Sequence, residues 1–257
     1  MNIDESMDLT ARPPWSGKQL TRLGEAIARQ EPAPENGPGY DDVMDWHQAL
    51  AERVSAIVYS TEWTTIRGAR HDVSARAKTH DTLQQKLIRE TRMRLNQVQD
   101  LAGVRIDVDC SLDEQTALAG EIADHFAEFG EVLIRDIRAN PHSGYRAVHL
   151  WLRFPAGRAE IQIRTQGQSA WANTYEQFGD AVGRRIRYGQ GHDDPRIQQL
   201  VDYLQEESRK LAALEERHQE LTDLREDCVS ELHAHRDRMR EIRSTLDGIS
   251  TTTVEER

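Results

Sequence analysis

Cysteine is nearly absent: Cys110 and Cys228 are the only two in 257 residues, and such usage fits a reducing compartment and excludes a disulfide-stapled scaffold. Nowhere do about 18 apolar residues run together, so no membrane-spanning helix is expected. The start, MNIDESMDLT, lacks the basic-then-apolar pattern of a secretion signal. A cytoplasmic protein with no membrane partner is the expectation. Aromatic residues make up 6% and apolar residues 37%, which predicts a modest core with long solvated helices. Positive charge is also short, with 33 Lys and Arg against 44 Asp and Glu and a net charge of −11. That balance excludes a surface that grips nucleic acid or anionic lipid throughout, so any phosphate chemistry belongs in a local basic cleft.

Glycine and proline vanish over one long interval, from Arg196 to Asp247. Within it Leu211, Leu214, Leu221, Leu232, Met239, Ile242 and Leu246 fit one heptad frame, with His218, Arg225, Cys228 and His235 in the remaining seam positions. Such a broken seam suits a helical hairpin or a subunit contact. We expect residues 191–257 to be a C-terminal helical region that makes a homo-oligomer. Residues 1–40 have the opposite bias, with ARPPWSG and EPAPENGPGY. They read as a flexible segment holding at most a short helix over Lys18–Arg29.

Between these ends the pattern is mixed. Val43, Trp46, Leu50, Val54 and Val58 mark a helix over Asp41–Tyr59. HDVSARAK alternates as a strand, DTLQQKLIRETRMRL reads as a helix, and AGVRIDVDC alternates again. A helix through DEQTALAGEIADHFAEF follows, then a strand at EVLIRDI. YRAVHLWLRF and AEIQIRT come last, joined so briefly by Pro155, Ala156 and Gly157 that they must form an antiparallel hairpin. The predicted fold is α+β, a mixed and partly antiparallel sheet flanked by helices, with a C-terminal helical extension.

Several polar side chains share strand faces. In GRAEIQIRT, Ala159, Ile161 and Ile163 point to one side and Glu160, Gln162 and Arg164 to the other. The hairpin partner sets Tyr145 and His149 on that second face, giving a polar-aromatic floor. Upstream, Ser74, Arg76 and Lys78 share a face, and the following helix places Thr82 and Lys86 one turn apart. Cations at a strand end beside a helix N-terminus capped by Thr79 or Asp81 suit an anion such as a polyphosphate. Asp100 stands at the entrance to a strand whose Arg105, Asp107 and Asp109 face away from the core. A carboxylate beside a phosphate cradle can hold Mg²⁺. HAH at 233–235 and HDD at 192–194 are weaker metal-ligating patterns.

The ordered set RAKTHDTLQQKL, DLAGVRI, SGYRAVHL and EIQIRTQGQSAWA resembles the synthetase domain of the RelA/SpoT-homologue family, over about residues 41–190. The chain is similar to a small alarmone synthetase without the family's hydrolase domain. The resemblance implies a nucleotidyltransferase-like fold and a cytoplasmic GTP diphosphokinase of the stringent response, which moves pyrophosphate from ATP to the ribose 3′-hydroxyl of GDP or GTP to make ppGpp or pppGpp. It implies that Arg76, Lys78, Thr82, Lys86 and Arg105 bind the ATP phosphates. It further implies that Asp100 and Glu160 are the catalytic pair, Asp100 binding Mg²⁺ and Glu160 assisting that metal or taking the proton from the attacking 3′-hydroxyl. Tyr145 would stack on the guanine, with His149, Gln162 and Arg164 lining the acceptor pocket. C-terminal helices assemble subunits in the same family.

The departures bear on the acceptor. Pro141, His142 and Ser143 stand where many members read Lys-Pro-Asn, Thr82 where Ser is usual, and Glu176-Gln177 where a Glu-His pair comes sooner after the tryptophan. Toxic relatives that act on adenosine nucleotides or on the tRNA 3′ CCA end are the alternative, with GRRIRYG (183–189) as the one extra basic surface for tRNA. A catalytically silent nucleotide-binding module is the other class, and paired carboxylates opposite a phosphate cradle favour the enzyme.

Overall fold

The structure, a computed structural model, describes the backbone of residues 7–255 and, residue 77 apart, the side chains of residues 7–241. The chain divides into two compact units after Leu211. The first contains the helices α1 (Gly17–Arg29), α2 (Tyr40–Ser60), α3 (His80–Arg89), α4 (Leu112–Phe126) and α5 (Gln166–Val182). Its strands are β1 (His71–Ala77), β2 (Ala102–Val108), β3 (Glu131–Asp136), β4 (Val148–Phe154) and β5 (Gly157–Thr165). They form one sheet in the order β1-β2-β5-β4-β3. Only β2 and β5 run parallel, giving the mixed, partly antiparallel sheet that the alternating segments predict.

Alternation decides which face is core. In β2 and β4 every second residue is buried, so Val104, Ile106, Leu150 and Leu152 meet Ile161 and Ile163 of β5 on one side. Helix α2 covers that side with Leu50, Val54 and Val58, and α4 with Leu118, Ile122 and Phe126. Burying each such side chain contributes about 1.5–3 kcal/mol. The β4–β5 turn needs only Pro155 and Ala156, and Trp46 fixes it by donating its indole N–H to the Ala156 carbonyl at 2.7 Å.

The short helix allowed over Lys18–Arg29 is present as α1, started by a Ser16–Gln19 capping box. Its Leu20, Leu23 and Ile27 pack with Val43, Leu83, Leu87 and Leu101 in a second core. The segment is lean alone but finds its apolar partners on α2 and α3. The helix expected to run to Leu95 stops at Arg89, because the stripe of Leu83 and Leu87 continues into Glu90, Thr91 and Arg94, and the chain turns through a 3-10 segment at Leu95–Gln97 instead. Strand β4 begins at Val148, leaving Tyr145 in a tight turn where it bridges His142.

Helix α6 runs without interruption from Pro195 to Glu255, so the helical hairpin is excluded. Its first turns belong to the sheet-bearing unit: Val201, Leu204 and Leu211 pack with Trp171, Tyr175 and Ile186. In the second unit the heptad positions Leu214, Leu221, Leu232 and Met239 are exposed, while the side chains of Ile242 and Leu246 lie outside the described residues. Among the described residues no helix is long and apolar enough to cross a membrane.

Candidate active site

The sheet face opposite the main core carries the polar residues, and a cleft of about 420 Å³ opens on it. One wall comes from β1 and α3, with Arg76, Lys78, Thr82 and Lys86; the floor from Arg105, Glu160 and Gln162; the far wall from α5 and the 3-10 segment Arg184–Tyr188. All five residues expected at the ATP phosphates therefore line one cavity, together with Asp100 and Glu160. Parallel pairing places the two carboxylates at the same end of the central strands. Gly103 pairs with Glu160, and Asp100 lies two residues ahead of Ala102, where β2 begins.

Asp100 is clamped by two cations, Lys78 on Oδ2 and Lys86 on Oδ1, the latter at 2.9 Å. Burial pushes its carboxyl up, but the charges and hydrogen bonds of the two lysines outweigh this and set it at about 2. The preceding Gln99 anchors the loop, its amide donating to the carbonyls of Leu152 at 3.0 Å and Ala159 at 2.7 Å. Glu160 is only 7% exposed. It accepts hydrogen bonds from His149 Nδ1 at 3.2 Å and Trp151 Nε1 at 3.0 Å on Oε1, and from Gln162 Nε2 at 2.8 Å on Oε2. Burial pushes Glu160 up as well, and the His149 interaction, with Gln162, more than reverses it, leaving the group below its ordinary value.

Behind the floor the acceptor set forms a network. The Tyr145 hydroxyl lies 3.1 Å from His149 Nε2, which accepts when Nδ1 carries the proton donated to Glu160. Arg164 donates to the same hydroxyl at 2.9 Å and to Gln162 Oε1 at 2.8 Å, and its guanidinium stacks 4.9 Å over the Tyr145 ring. At 1% exposure Arg164 is buried among neutral partners, and its Nη1 bonds to nothing among the described residues. On the polar face of β5, Glu160 and Arg164 are buried and Gln162 is partly exposed. Gln162 lines the cleft, while Tyr145, His149 and Arg164 stand behind it. The Tyr145 ring packs with Trp171 and Tyr175, and its hydroxyl is committed.

Sequence reasoning singled out Glu176 and GRRIRYG but did not place them on the far wall of the cleft. Glu176 and Asp180 of α5 face the cleft with Arg184 and Arg187, which pair with Asp180 at 2.8 and 2.9 Å. Arg105 reaches Asn173 at 3.2 Å and Glu176 at 3.7 Å, and Arg89 stacks 3.8 Å from the Tyr188 ring across the mouth. GRRIRYG therefore supplies cleft wall; its third arginine, Arg185, pairs with Asp193 at 3.0 Å. Periodicity could not reveal this, because the segment is a single 3-10 turn placed by Gly183 and Gly189.

Mg²⁺, implied by the resemblance, can be tested against the donors present. Among the described residues no group of three or more His, Cys, Asp or Glu side chains could hold a metal, which covers HAH and HDD. Asp100 and Glu160 on one cleft, with Thr79 and Thr82 hydroxyls nearby, fit a hard ion that takes one or two carboxylates and completes its shell with water and phosphate oxygens.

Comparison with known proteins gives three findings. Residues 75–179 match the family model described as a region found in RelA/SpoT proteins. An uncharacterised protein of Mycobacterium tuberculosis is 47% identical over 213 residues, covering 80% of this chain and 77% of that protein. Among solved structures, small alarmone synthetase 1 from Bacillus subtilis is similar with a TM-score of 0.57 at 21% identity, covering 73% of this chain and 98% of that one. The same synthetase bound to its product pppGpp gives 0.50 at 23%, over 72% and 93%.

Proposed function

The chain belongs to the RelA/SpoT family, and from that premise we propose that it transfers pyrophosphate from ATP to the ribose 3′-hydroxyl of GDP or GTP with Mg²⁺. The observation that carries this reading is the pair Asp100 and Glu160 on one cation-lined cleft. A protein of like fold solved with pppGpp supports the product class.

On this reading the triphosphate enters between β1 and α3, and Lys78 and Lys86 exchange Asp100 for phosphate oxygens. Arg76 and Arg105 offset charge that develops on the transferred group. The 3′-oxygen attacks the β-phosphorus, the bond from that phosphorus to the α,β-bridging oxygen breaks, and AMP leaves with the electron pair. Glu160, kept ionised by its donors, takes the hydroxyl proton. Mg²⁺ held by Asp100 and Glu160 would neutralise phosphate charge. Tyr145, His149 and Arg164 act on the acceptor by holding Gln162 and the floor in place. Residues 212–257 serve assembly of a homo-oligomer, with Leu214, Leu221, Leu232 and Met239 as the seam.

The test is incubation with γ-labelled ATP and Mg²⁺ and, in turn, GDP, GTP, AMP or deacylated tRNA. Label is expected on GDP or GTP, and Glu160→Gln should lower turnover by at least about a hundredfold while ATP still binds. Label on AMP or tRNA alone would move the acceptor to the toxic relatives' class. No transfer despite ATP binding would leave a silent module.

A further inference from the structure

Trp151 stands directly opposite Glu160 in the β4–β5 ladder. Directly opposed residues are the nearest cross-strand neighbours in a sheet, so an indole there can reach the carboxylate without bending either strand. It does so, with Nε1 at 3.0 Å from Oε1. Neither Trp151 nor His149, the two donors to Oε1, lines the cleft, whereas Gln162, the donor to Oε2, does. The carboxylate is therefore tied back by Oε1 and turned to the cleft by Oε2.

The ring itself is held from the other side. Arg135 of β3 places its guanidinium 4.9 Å from the Trp151 ring, which limits rotation of the indole. A Phe would keep a ring beside Arg135 but has no N–H, so the hydrogen bond to Glu160 is what the indole alone supplies.

We propose that Trp151 is a positioning residue: its indole N–H, steadied by Arg135, fixes the Glu160 carboxylate so that Oε2 is the working oxygen. The inference rests on the reading that Glu160 acts in the transfer. It adds that the second donor on Oε1 narrows the orientation that His149 and Gln162 already restrict, and so sets where Oε2 points.

Trp151→Phe keeps the ring over Arg135 and deletes the donor. With γ-labelled ATP and whichever acceptor the wild type uses, kcat should fall by about tenfold or more, while KM for both substrates stays within about twofold. Thermal melting shows whether the fold is intact, and an unchanged kcat in the folded variant overturns the proposal. A second measurement needs no activity. In ¹⁵N-tryptophan-labelled full-length protein, the indole signal missing from Trp151→Phe identifies Trp151, and Glu160→Ala should shift that signal more than any of the other four of the 5 tryptophans. A Trp151 signal that ignores Glu160→Ala overturns the hydrogen bond and with it the proposal. If wild type transfers label to no acceptor, the reading of function fails, and the indole signal alone decides whether Trp151 holds Glu160.

Discussion

Replacing Asp100 with Asn gives the protonated carboxyl a permanent stand-in, so the cost of the substitution can be worked from the clamp. The carboxyl lies at about 2 against 3.8 for a free aspartate, and at about 1.36 kcal/mol per unit the difference is worth on the order of 2–3 kcal/mol. Both lysines are mostly buried, at 17% and 19% side-chain exposure, so solvent screens the pair little. A group whose folded value is depressed contributes stability above its unfolded value and loses it as pH falls through the folded one. The deficit of Asp100→Asn should thus be full at pH 7, remain so down to about pH 4, and close between about 4 and 2. Urea unfolding followed by far-UV circular dichroism at steps over that range is the assay. At pH 7 the variant should also melt about 5–10 °C lower. Equal stability at pH 7, or a gap that does not narrow below pH 4, would refute the clamp as the cause.

Three further outcomes follow from the packing. Tyr145→Phe leaves Arg164 with Gln162 as its remaining hydrogen-bond partner and should destabilise the protein by about 1–3 kcal/mol in urea titration. Gly144 has φ 89° and faces Trp171, 2.8 Å from where a Cβ would stand, so Gly144→Ala should lower the melting temperature and weaken acceptor use more than ATP use. Truncation after Leu211 should keep the melting of the sheet-bearing unit and shift the protein to a smaller species in light scattering. An unchanged mass would remove residues 212–257 from assembly.

Much of the fold was legible because alternation and helical spacing report burial directly. Val104, Ile106 and Val108 announce β2, and Leu50, Val54 and Val58 announce α2 to within one residue at each end. The motif residues around the cleft were legible for another reason, since their order along the chain resembles a known synthetase domain. What stayed hidden depends on register and on contacts remote in sequence. That Trp151 meets Glu160 follows only from the hairpin's exact pairing, and that Gln99 ties β4 to β5 joins residues more than 50 positions apart. The burial of Arg164 was hidden by its charge, because an arginine on a strand reads as solvent-facing until Tyr145 and Gln162 are seen to accept its hydrogen bonds.

Strand β5 is last in sequence yet lies in the middle of the sheet, between β2 and β4. During synthesis the β1–β2 pair and the β3–β4 pair can each form as the chain emerges, but nothing joins them until β5 inserts, a long-range step that comes late. Glu160 arrives on that same strand. Until β5 joins the two half-sheets, Lys78, Lys86 and Asp100 stand on one of them with no partner carboxylate across from them. The cleft gains its second carboxylate only with the closing of the sheet.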